Sequence, residues 1–196
     1  DVRLTHKVAQ QLEKEGKKFS SKSYDLELKV RAIVDQQERN GFSFNLREAM
    51  SFLATLEEEQ HELENQAQEM FKPREVQLKT KVKYIPFNIA SRKQIAERLE
   101  ELGWKPTKFT DKGNIIVSEE ILDTINMKEA KMFSRYFLLQ KRTGLIKAWI
   151  EACQDDDKVR GRVMTLRTIT GRMAHNSPNM AQVPAVYSPY GKECRS

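Results

Sequence analysis

Cysteine and histidine are scarce in this chain of 196 residues, and long apolar runs are missing. Its two cysteines, Cys153 and Cys194, lie far apart and outside any CxxC spacing. They are expected as free thiols in a reducing compartment. Two cysteines and three scattered histidines supply no cluster of zinc ligands. No stretch approaches the roughly 20 apolar residues needed to cross a bilayer. No succession of basic, apolar and small residues reads as a signal peptide. A helical membrane span, a zinc module and a disulfide scaffold are therefore not expected.

What is present is charge. Hydrophobic residues make up 39% of the chain and charged residues 32%. That composition can bury a core but favours an elongated, helix-rich shape, as one large domain or two small ones. The net charge of +6 is unevenly placed. Residues 131–196 hold 12 Lys and Arg against 5 Asp and Glu, while residues 1–130 hold 22 against 23. A basic field concentrated in the last third points to a polyanionic partner.

Apolar periodicity predicts helices over 1–15, 25–39, 45–71, 91–102, 118–125 and 128–153. Gly16 and Asn40-Gly41 are stop signals, the latter through a left-handed cap. Asn45 with Glu48, and Ser91 with Gln94, form capping boxes. Leu26, Val30, Ile33, Val34 and Gln37 mark the inner face expected for the second helix. The acid-rich stretch from Glu57 to Glu64 reads as a solvated face, and Asp155-Asp156-Asp157 as a solvated turn. Lys17 to Ser23 is expected as a polar loop, and Lys72 to Ile85 as a basic loop with one short strand. Val159 to Thr168 alternates basic and apolar residues, fitting a short strand or hairpin.

The most informative run is Thr170-Gly171-Arg172-Met173-Ala174-His175-Asn176-Ser177-Pro178-Asn179-Met180-Ala181-Gln182-Val183-Pro184. Its two prolines fix φ and remove donors, so it cannot continue as helix or central strand. Arg172, Asn179 and Gln182 are planar donors suited to the base N3 and O2 acceptors of a nucleic-acid groove. Spacing alone leaves both a DNA contact and an ordinary surface loop open.

Thr-Gly-Arg followed by Pro-Asn-x-x-Gln-x-Pro resembles the motif that opens the palm of family A DNA polymerases. The sequel Ser188-Pro189-Tyr190-Gly191-Lys192-Glu193-Cys194-Arg195 resembles the phage branch of that family. Asp1-Val2-Arg3-Leu4-Thr5 is similar to the last motif of its 3′–5′ exonuclease domain. Gln37-Glu38-Arg39-Asn40-Gly41-Phe42 resembles the entry to the thumb. Leu102-Gly103-Trp104-x-Pro106-Thr107 and Thr110-Asp111-Lys112-Gly113 are similar to the segment that crosses the thumb. Leu139-Gln140-Lys141-Arg142 resembles the helix returning towards the palm.

The resemblance implies a mainly α structure, with a long-helix thumb and a small β element at the start of the palm. This would be a partial α+β polymerase fold. Residues 1–24 would be the exonuclease tail, 25–153 the thumb and its supports, and 154–196 the first part of the palm. A start on Asp1 rather than Met fits a piece of a longer protein. The family joins nucleotides with two carboxylate-bound Mg²⁺ ions. The carboxylates that hold them come later in the palm, so the chain alone is expected to be inactive. Asp1 would be one exonuclease metal ligand of an incomplete site, or simply an aspartate favoured at a helix start.

The implied partner is primer-template DNA in the host cytoplasm, with deoxynucleotides bound only by the whole enzyme. Arg172, Asn179 and Gln182 would approach the minor groove near the primer end. Many members place adjacent amides after Pro-Asn; here Ala181 takes the first place and Gln182 keeps the second. His175 would approach the same groove or be satisfied by backbone. Lys141 and Arg142 would contact phosphates or form a solvated helix face. The short interval from Met70 to Ile85 leaves no room for a thumb-tip insertion that binds a processivity partner. The alternative class is a stand-alone helical nucleic-acid-binding protein without catalysis.

Overall fold

The computed structural model describes residues 2–77 and 82–195. Asp1, the expected exonuclease ligand, lies outside the described residues. The fold is mainly helical with three small two-stranded sheets among the described residues, as the sequence predicts. Two compact units form: Asp1–Phe44 with Ala152–Val183, and Asn45–Glu151 with Pro184–Ser196.

The second unit is built on two 25-residue helices, α3 (Leu46–Met70) and α6 (Lys128–Ala152). Asn45 caps α3 by accepting from the Glu48 amide at 3.2 Å. The shorter α4 (Arg92–Glu101) and α5 (Glu119–Thr124) start at Ser91 and Ser118, whose side chains accept from the Gln94 and Ile121 amides. Such caps satisfy donors that a helix start leaves orphaned. Gln94 does not close a reciprocal box on Ser91; its Oε1 accepts instead from the Asn88 amide at 2.8 Å.

The core of this unit gathers around α6. Phe133 is fully buried beside Phe71 and Phe87, with ring centroids 5.8 Å away in both cases. Leu99, Val117 and Leu122 close the cluster. Burying one such side chain is worth about 1.5–3 kcal/mol. α6 runs unbroken through Gly144.

Where one short strand was expected, two form: β2 (Arg74–Gln77) and β3 (Val82–Ile85) pair antiparallel, Arg74 opposite Ile85. Arg74 ties this hairpin to α4 through Glu97 and Glu101. That long-range anchor lets so weakly alternating a segment pair as a hairpin.

The first unit holds α1 (Val2–Gly16) and α2 (Ser21–Asn40). α2 begins inside the expected polar loop because Ser20 accepts from the Ser23 amide at 3.2 Å. Its expected inner face is only partly formed: Val34 is buried, but Leu26 and Ile33 remain exposed. Its neighbour in this unit is a narrow hairpin of β5 (Arg162–Met164) and β6 (Ala174–Asn176), which covers a thin stripe.

Gly41 ends α2 at the positive φ expected of its cap glycine, 65, but a ψ of −176 gives an exit outside the left-handed α conformation. The exit leads into β1 (Phe42–Ser43), which pairs with β4 (Lys158–Val159). Only glycine suits this point, because a Cβ there would lie 2.9 Å from Arg160 Cγ at a positive φ.

Candidate nucleic-acid interface

The first unit presents the Thr-Gly-Arg run on the loop between β5 and β6. Thr168 organises the loop. Its Oγ1 donates to the Arg172 carbonyl at 2.9 Å and accepts from the Arg172 amide at 2.8 Å. The Gly171 amide donates to the Thr168 carbonyl at 3.0 Å, with Gly171 at φ 73. This closed turn satisfies the Arg172 backbone and leaves its side chain exposed. The guanidinium makes no ion pair or hydrogen bond among the described residues.

α2 fixes the base of the hairpin. Arg31 donates to the Val163 carbonyl at 2.7 Å, and Glu38 accepts from the Val163 amide at 2.6 Å. Both polar groups of Val163 are thereby satisfied by opposite charges. Arg31 also pairs with Asp35 and, at 3.0 Å, with Glu38. The hydrogen bond to Asp35 is the main cause that holds its guanidinium above the usual range. Just past the end of β5, Thr165 donates to Glu27. None of these partners was recognised from sequence; an arginine with carboxylates four and seven residues on was the available signal.

His175 lies in β6 opposite Val163 and is half-buried. Asn179 accepts from the Ala181 amide at 3.0 Å, so its Oδ1 caps a short 3₁₀ turn over Met180–Gln182. Its amide donors remain for an outside acceptor. Gln182 is exposed at the end of that turn. The segment is seated against Gly161, where a Cβ would come within 2.7 Å of the Pro178 carbonyl oxygen. Arg172, His175, Asn179 and Gln182 thus share one unit.

The charge around them is one-sided. Residues 158–183 contain five Lys and Arg and no Asp or Glu. Arg162 and Arg167 are exposed and, like Arg172, form no ion pair among the described residues. These two further cations stand in the basic-apolar alternation of residues 159–168. Arg160 is engaged elsewhere, donating to Asp156 at 2.9 and 2.5 Å. That bond is the largest cause holding the Asp156 carboxyl below its usual range. The aspartate run is the exposed turn expected from sequence, braced by Arg160. Among the described residues no group of three or more His, Cys, Asp or Glu is placed to hold a metal ion.

Lys141 and Arg142 belong to the other unit. Lys141 is exposed and pairs with Glu119 at 2.8 Å. Arg142 is half-buried, and its Nε donates to the Pro189 carbonyl at 3.2 Å. The terminal nitrogens of Arg142 have no hydrogen-bond partner among the described residues. In the same unit the acidic stretch of α3 is not simply a solvated face. Glu57 pairs with Lys147 at 2.6 Å, Glu64 accepts from the Tyr136 hydroxyl at 2.9 Å, and Glu59 accepts from Arg135 and Tyr190. Burial of Glu59 works against its charge. The hydrogen bonds from Tyr190 and Arg135 outweigh that and leave its carboxyl below the usual range.

Comparison with known proteins agrees with this picture. A model of DNA polymerase family A matches residues 52–196. The DNA-directed DNA polymerases of Enterobacteria phage T3 and Escherichia phage T7 are each 39% identical over 127 residues. The matched stretch is 60% of this chain and 18% of each relative, so the chain spans about a fifth of their length. Among solved structures, the POL domain of Pol1 from M. smegmatis, in complex with DNA primer-template and dNTP, superposes with a TM-score of 0.72. That match covers 86% of this chain and 28% of the other at 15% identity, which speaks for the fold alone. With its family match running from the first turns of α3 through residue 196, the chain belongs to DNA polymerase family A.

Proposed function

We propose that this chain is the part of a phage-type, template-directed DNA polymerase that grips the primer-template duplex. Residues 1–24 would be the exonuclease tail, 25–153 the thumb with its supports, and 154–196 the start of the palm. The observation that carries the reading is the exposed Arg172 guanidinium on a pinned turn, within a stretch free of acids. A planar donor fork fits minor-groove acceptors that every matched pair presents in similar places. Asn179 and Gln182 would add amide donors, and His175 would approach the same groove.

Arg162 and Arg167 would contact phosphates, as would Lys141 and Arg142, positioning the duplex without reading its sequence. For Lys141 this means leaving Glu119, a cheap exchange because exposed ion pairs are worth about 0–1 kcal/mol. The solved POL domain in complex with primer-template DNA supports a DNA partner for the shared fold.

In the whole enzyme Mg²⁺ would supply charge neutralisation at the reacting oxygens. The described residues do not fit such ions. The setting would be the cytoplasm of an infected host.

Primer extension separates gripping from chemistry. The 196-residue chain should bind primer-template duplex yet add no nucleotide, whereas the full-length polymerase should extend it. Template-directed extension by the chain alone would overturn this assignment.

A further inference from the structure

Tyr190 occupies a backbone conformation that a bulky side chain rarely adopts, with φ 61. A residue held there persists when its surroundings over-determine it. Its surroundings do so here. The Tyr190 hydroxyl donates to the Glu59 carboxylate, with oxygen separations of 2.6 and 2.8 Å, and accepts from Arg135. Arg135 also donates to Glu59 at 2.6 Å and lies 4.9 Å from the Tyr190 ring centroid. Phe52 packs on the ring at a centroid distance of 5.9 Å. The next residue, Gly191, is buried against the Ala185 carbonyl with no room for a Cβ.

All of these groups lie in one unit, and the residue before Tyr190 matters most. The Pro189 carbonyl is the acceptor for Arg142 Nε. Fixing Tyr190 fixes that carbonyl, and the carbonyl sets the plane of the Arg142 fork. We propose that Tyr190, held by Glu59 and Arg135, is a positioning residue that aims the Arg142 guanidinium at a DNA phosphate. The proposal rests on the duplex-gripping reading. It adds a neutral hydroxyl, two helices from α3 to α6 and one carbonyl to the path by which a phosphate is held.

The consequence is unusual for an uncharged change. Removing one phosphate contact lowers the salt dependence of duplex binding by about one unit of log–log slope. Tyr190→Phe keeps the ring and the net charge, so a merely structural role would leave that slope alone. The test measures duplex affinity of the full 196-residue chain across salt concentrations for wild type, Tyr190→Phe, Arg142→Ala and the double variant. Amide exchange over residues 185–195 is followed in parallel.

Expected are a slope lowered by about one in each single variant, no further drop in the double, and exchange faster by about tenfold in Tyr190→Phe. The proposal is overturned if Tyr190→Phe keeps the wild-type slope while Arg142→Ala lowers it, or if the two losses add. Unchanged exchange over 185–195 in Tyr190→Phe would also overturn it. Should wild type show no duplex binding, the gripping reading fails by itself, and the exchange result still judges whether Tyr190 holds this segment.

Discussion

Phe133 has no exposed surface and touches two other phenylalanine rings, whereas Ile169, on the Arg172 loop, is fully exposed. The contrast extends to their units. The unit of α3 and α6 buries a contiguous apolar cluster, while the unit of α1 and α2 buries only Val34, Val159 and Pro178 among its described apolar residues. What holds the second of these in place is polar: Arg31 and Glu38 on Val163, Glu27 on Thr165, and Thr168 on Arg172. Packing energy is non-directional, while hydrogen bonds fix orientation. The unit that carries Arg172 is thus oriented by hydrogen bonds more than stabilised by burial, which suits a surface that must aim one side chain.

The largest expected effect probes the packed unit. Phe133→Ala should lose about 3–5 kcal/mol in chemical unfolding, against roughly 1.5 kcal/mol for Val34→Ala with its two buried methyls. Equal losses would erase the contrast between the units. A smaller effect probes the polar one. Glu38→Gln leaves the volume of the side chain and removes its charge, and should speed exchange of the Val163 amide about fivefold, near 1 kcal/mol. Exchange unchanged at Val163 would mean that the hairpin does not depend on α2 for its position.

The smallest effect is a pH dependence confined to the packed unit. Burial first, then the hydrogen bond to Glu59, push the Tyr190 hydroxyl up to about 12. A raised acid in the folded state stabilises fully below its unfolded value near 10 and loses that contribution as pH climbs through about 12. Glu59, held low, contributes above its unfolded value near 4.3 and loses that contribution as pH falls through its folded value. Stability should therefore sag at both ends, and Tyr190→Phe should flatten the alkaline side. An alkaline profile identical in both proteins would remove the Tyr190–Glu59 bond from the account.

Local signals carried most of the legible fold. Asn45, Ser91 and Ser118 start the helices they were expected to start, because a cap acts on amides two or three residues away. Phe133, Tyr136, Phe137 and Trp149 face the core as periodicity predicts. Pairings distant in sequence were illegible. The β2–β3 hairpin depends on Arg74 reaching α4, and Tyr190 reaches Glu59 across 131 residues. For Arg142 the sequence left a phosphate contact and a solvated helix face open, and nothing local announced its bond to the Pro189 carbonyl. The motif around Arg172 was legible, since Gly171 and the prolines shape it locally, but the clamp from α2 that supports it was not.

Duplex affinity of the 196-residue chain, for wild type, Arg172→Ala and Arg172→Lys, tests the central claim. Wild type should bind independently of sequence with a log–log salt slope of about −4 to −5, for roughly four to six phosphate contacts. Arg172→Ala should weaken binding to a matched primer end by about 1–3 kcal/mol. Lysine should restore it only in part, since a point charge lacks the planar fork. Thermal melting should stay within about 0.5 kcal/mol of wild type, as for an exposed side chain outside a core. A flat salt slope, or an alanine variant that binds primer-template as wild type does, would contradict the assignment of this loop to DNA.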